Sequence, residues 1–105
     1  MRVTISHNKP VQEIKNSIDR SFDSLFNGFG SGLVEFADQH HSWSGNTMVF
    51  DMNARMGFVK SPIKGTIDVT DKDVTIDVDL GILGKLVPEQ TVRTGIEGRV
   101  KGLLT

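Results

Sequence analysis

Val3 and Ile5 alternate with Arg2, Thr4 and Ser6, a period of two that predicts a short strand with one buried face. After Asn8-Lys9-Pro10 the period changes. Val11, Ile14, Ile18, Phe22 and Leu25 recur at spacings of three, four, four and three. That is the stripe of an amphipathic helix of about 16 residues, and Phe26 widens it. Asn8 suits the N-cap, and Pro10 suits the first turn, where a missing N–H would be unpaired anyway. Asn27-Gly28 ends the helix, because glycine adopts positive φ freely just beyond a C-terminus.

A glycine-rich loop, Gly28-Phe29-Gly30-Ser31-Gly32, follows. The next strand is expected in two pieces, near Leu33–Phe36 and His40–Ser44. Ser44-Gly45-Asn46 signals a tight turn, from which Thr47–Met52 runs back. Asn53–Pro62 reads as a loop or bulged connection through Gly57 and Pro62. Beyond it, Ile63, Gly65, Ile67 and Val69 alternate with Lys64, Thr66, Asp68 and Thr70. After Asp71-Lys72-Asp73 the alternation resumes with Val74, Ile76, Val78 and Leu80. One face of this hairpin is β-branched and apolar and the other is Thr/Asp-rich, as an antiparallel sheet covered on one side requires.

From Pro88 to Leu104, Val92, Ile96, Val100 and Leu103 keep a helical spacing. Glu89, Arg93, Glu97 and Lys101 form an i,i+4 charge ladder beside them. Gly95, Gly98 and Gly102 oppose this helix by roughly 0.8–1 kcal/mol each, so its stability must come from docking. The expected order is β-α-β-β-β-β-α. This is an α+β fold: an antiparallel sheet of four to five strands with two helices on one face, in a single domain spanning residues 1–105.

Composition narrows the function. The chain has 105 residues, 12 Lys+Arg against 13 Asp+Glu, and no cysteine. The near-balance of charge argues against nucleic acid or a general electrostatic grip on a membrane. The lack of thiols excludes disulfides, thiolate metal sites and cysteine nucleophiles. No stretch reaches the ~18–20 apolar residues of a membrane span, and no h-region of a signal peptide is visible, which makes the cytoplasm the expected compartment. Charge is segregated: residues 61–84 hold two Lys against five Asp, and residues 85–105 four Lys/Arg against two Glu.

Candidate chemistry is sparse. His40 and His41 are neighbours on a strand and point to opposite faces, so they do not converge on a metal; with His7 they read as structural. A calcium loop counted from Asp71 would need Gly at its sixth position and Glu at its twelfth, where Ile76 and Ile82 stand. The GxGxG fragment at 28–32 follows a helix and precedes a strand, the wrong polarity for a phosphate cradle. No Gly-x-Ser-x-Gly elbow occurs. Gly98-Arg99-Val100-Lys101-Gly102 has GxxxG spacing, but its charges suit packing on a sheet better than a membrane. No catalytic, cofactor or metal residue is assigned, and no enzymatic activity is expected. Met52, Met56 and Phe58 form a soft apolar stretch that can serve as a contact surface.

Three pieces of the chain carry a resemblance. They are Trp43-Ser44-Gly45-Asn46-Thr47, Gly65-Thr66-Ile67-Asp68-Val69 and Leu80-Gly81, set between an amphipathic helix and a terminal helix. Together they resemble the putative polyhydroxyalkanoic acid system protein family, small bacterial proteins often encoded near polyester-granule genes. The resemblance implies a non-enzymatic accessory protein of polyhydroxyalkanoate metabolism, granule-associated or regulatory, without a cofactor. Its partners would be the granule or granule proteins, met through Met52, Met56 and Phe58 or through a partly undocked terminal helix. The alternative is a small apolar-ligand binder, with an acyl chain in a helix-grip-like cavity that Gly95, Gly98 and Gly102 leave under the last helix.

Overall fold

The computed structural model describes residues 1–25 and 35–104. In chain order these form β1 (Arg2–Ser6), α1 (Val11–Leu25), β2 (Glu35–Ser44), β3 (Thr47–Met56), β4 (Val59–Val69), β5 (Asp73–Asp79), α2 (Leu83–Leu86) and α3 (Glu89–Leu104). The α+β expectation holds, with five strands, and the four-residue α2 is an element the periodicity did not announce. Expectations for Phe26, the Asn27-Gly28 stop, the loop at 28–32 and the strand start at Leu33 lie outside the described residues, as does the Leu25 side chain.

All strand pairs are antiparallel, in the order β1-β5-β4-β3-β2. The chain therefore begins at one edge, passes through α1, re-enters at the opposite edge and meanders back until β5 closes on β1. Both long helices lie on one face. Ile14, Ile18 and Phe22 from α1 meet Met48, Phe50, Met52, Ile63, Ile67, Ile76 and Val78 in one core, and Val92, Ile96, Val100 and Leu104 add the α3 stripe. α3 packs against β1 and α1. Its Arg93 Nη1 donates to the Arg2 carbonyl across the β1 edge at 2.8 Å. The glycines do not prevent this helix because the buried stripe lies elsewhere: Gly98 and Gly102 are exposed.

α1 starts at Val11, and the Pro10 carbonyl accepts the Ile14 N–H at 3.2 Å. The cap position thus falls on Pro10 and not on Asn8. His7 braces the preceding turn: its Nδ1 accepts the Lys9 N–H at 3.1 Å, so its Nε2 donates to the Thr70 carbonyl at 2.7 Å. These two bonds require the neutral Nε2–H tautomer.

Two segments differ from expectation. β2 is one strand whose interruption is a bulge between Ala37 and His40, with Asp38 at φ 55°. More consequentially, the loop expected at Asn53–Pro62 is hairpin. β3 and β4 stay in register from Thr47↔Asp68 through Met52↔Ile63 to Met56↔Val59. Pro62 is tolerated because β5 pairs with β4 only from Lys64↔Asp79 onward, so Pro62 has a partner strand on one side only.

Gly65 is demanded by packing. A Cβ there would lie 2.5 Å from Phe50 Cζ and 2.5 Å from the Asp77 carbonyl oxygen. The absent side chain makes room for the Phe50 ring, which stacks edge-on against Phe22 of α1 with centroids 5.6 Å apart. A strand residue thereby sets how closely α1 approaches the sheet.

Candidate functional site

The turn between β3 and β4 is Gly57-Phe58. Gly57 has φ +61°, while Phe58 has no positive φ, the sign pattern of a type II′ hairpin turn. A two-residue turn holds no core beneath it, so Phe58 projects into solvent at full exposure, 108% of its reference area. Val59 beside it is also exposed.

Strand parity separates the three residues expected to form a contact surface. Met52 stands opposite Ile63 on the helix-facing side and is only 2% exposed, so it belongs to the core and not to the surface. Met56 is half-buried against that core, and Phe58 alone is fully open. Ile82 and Leu86, which were not anticipated, are also exposed.

Gly81 turns the chain just before Ile82. Its φ is +57°, and an added Cβ would meet Ser61 Oγ at 2.8 Å and the Pro62 carbonyl at 3.1 Å. Ser61 Oγ donates to the Leu80 carbonyl at 2.9 Å, and the Gly81 N–H donates to Asp79 Oδ1 at 3.0 Å. These contacts fold the segment after β5 along the first residues of β4. Phe58, Val59, Ile82 and Leu86 are four of the five exposed large hydrophobic residues described. Arg55 and Lys60 face each other directly across the hairpin, and Lys85 lies in α2. The Phe58 tip can adhere to an apolar or amphiphilic surface.

A second cluster, invisible to the motif search, joins α1 to β2. Asp19 Oδ1 accepts His41 Nε2 at 2.7 Å and Trp43 Nε1 at 3.1 Å. The His41 bond, followed by that of Trp43, lowers the Asp19 pKa below its ordinary 3.8. Lys15 Nζ sits 5.1 Å from the Trp43 ring centroid and donates to the Gly45 carbonyl at 2.7 Å. The His41 ring lies against Phe22 at 4.5 Å. The i,i+4 pair Lys15/Asp19 on the border of the apolar stripe was the available signal, but which strand faced it was not. This cluster docks the helix. His40, on the opposite face, is exposed.

Among the described residues no group of three His, Asp or Glu side chains could hold a metal ion. The acidic β4–β5 loop is closed on itself, with Thr70 Oγ1 donating to Asp73 Oδ1 at 3.0 Å and accepting the Asp73 N–H at 3.0 Å. Gly98 and Gly102 open no space beneath α3: both are exposed, and an added Cβ at either meets nothing within 4 Å. That removes two of the three glycines from the argument for an acyl-chain cavity. No described helix is long and apolar enough to cross a membrane.

The chain matches one family model, described as "Putative polyhydroxyalkanoic acid system protein", over residues 1–104. No curated protein and no solved structure matches it.

Proposed function

The chain belongs to the putative polyhydroxyalkanoic acid system protein family, and from that premise we propose that it is a non-enzymatic accessory protein that attaches to the polyhydroxyalkanoate granule. The observation that carries this reading is the exposed apolar hairpin tip built by Phe58 and Val59. A Phe held at the tip of a paired hairpin loses little conformational freedom on contact, because the turn has already fixed its backbone. Burying such a side chain contributes about 1.5–3 kcal/mol, roughly a 10- to 100-fold gain in partition. The protein is then a cytoplasmic adaptor that occupies granule surface or presents its polar sheet face to other granule proteins.

The test is co-sedimentation with isolated granules and imaging of a labelled copy in polymer-loaded cells. Wild type should collect on granules, and Phe58→Ser should remain in the soluble fraction while keeping its fold. A wild-type protein that stays diffuse and does not co-sediment would overturn the proposal.

A further inference from the structure

Exposed apolar side chains alone would suit a bare, uncharged polymer, but the basic residues around them would not be needed there. Arg55 and Lys60 are directly opposed across β3 and β4, both exposed. Like charges in that relation destabilise a hairpin. Neither they nor Lys85 form an ion pair with any described carboxylate, although Glu35 stands in register with Arg55 on its other side. Folding therefore gains nothing from this pairing, placed three residues from Phe58 on one side and two on the other.

We infer that the Phe58 end binds an anionic phospholipid layer, with Phe58 and Val59 entering the acyl boundary while Arg55 and Lys60 meet the headgroups. Apolar anchors rimmed by Lys and Arg are what an interfacial site of this kind requires. The near-zero net charge is no obstacle, since screening at physiological salt confines the attraction to within about 8 Å and only the local charges count. This inference rests on the granule reading and specifies the material touched.

The experiment is vesicle co-sedimentation of the full chain with phosphatidylcholine alone, with phosphatidylcholine containing phosphatidylglycerol, and with lipid-free polyester particles. Binding should be strongest to the anionic vesicles and fall as salt is raised. Arg55→Gln/Lys60→Gln should weaken it by about fivefold per charge removed, and Phe58→Ser should weaken it as well. Circular dichroism of each variant checks that the fold persists. Equal binding to neutral and anionic vesicles, or no vesicle binding, overturns the inference. Binding to polyester particles without vesicle binding overturns it too, yet leaves the granule proposal standing.

Discussion

Gly65→Ala and Gly98→Ala add the same methyl group, and the structure requires them to move stability in opposite directions. At Gly65 the new Cβ would sit 2.5 Å from Phe50 Cζ, 2.9 Å from Phe50 Cε1 and 2.5 Å from the Asp77 carbonyl oxygen. The ring could swing away only by losing its contact with Phe22, and the carbonyl belongs to the β5 backbone and cannot move without opening the ladder. Overpacking of this kind costs about 1–3 kcal/mol, and the backbone clash places Gly65→Ala at the upper end. At Gly98 an added Cβ meets nothing within 4 Å. There the substitution recovers helix propensity and restricts the unfolded chain, a gain of about 0.5–1 kcal/mol. For a domain of this size 1 kcal/mol moves Tm by about 4–8 °C. Gly65→Ala should lower Tm by roughly 10 °C or more, and Gly98→Ala should raise it by several degrees. Trp43, the single tryptophan, reports unfolding by fluorescence, and circular dichroism at 222 nm provides an independent second transition. A neutral Gly65→Ala would show that Phe50 does not lie over Gly65, and with it that α1 docks otherwise.

Three further outcomes follow from the geometry. Met52→Ala should cost about 2–5 kcal/mol in urea unfolding because it empties a core position, whereas Phe58→Ser should change stability by less than ~0.5 kcal/mol; comparable losses from both would reverse the assignment of which faces inward. Asp19 has a folded pKa depressed below 3.8 by His41 and Trp43, so its contribution is present above pH 4 and disappears as pH falls through the folded value. Asp19→Asn should accordingly be less stable than wild type at pH 6 and converge with it as pH falls through the depressed Asp19 value, and a difference that stays constant into acid would refute the linkage. Removing the Arg93 bond to the Arg2 carbonyl, by Arg93→Met, should accelerate amide hydrogen exchange in β1 while leaving β3 and β4 unchanged, because those strands have partners on both sides.

Much of the architecture was legible from spacing alone. The period of two at 63–80 and the stripe from Val11 to Phe22 each name a buried face, because a side chain's direction follows directly from strand or helix geometry. The same period continued through Met48, Phe50, Met52, Ala54 and Met56, but Gly57 and Pro62 suggested a loop or bulged connection. Polar residues on the outward face and a two-residue turn leave that local composition, and only pairing with the partner strand distinguishes the two. Met52 ends the expected strand Thr47–Met52 and shares the parity of Met48 and Phe50, so its inward direction was already legible in that spacing.

What the chain determined by itself is thus the α+β class, the two long helices and most of the inward-facing set, since these depend on neighbours within one or two turns. Tertiary structure decided the rest: that β2 lies at the far edge from β1, that His41 and Trp43 converge on Asp19, and that the segment after β5 folds along the first residues of β4. These pairings are set by where a crossover and a glycine turn carry distant segments. Ser61 and Leu80 owe their bond to that turn, a contact between positions whose local patterns contain no reference to each other.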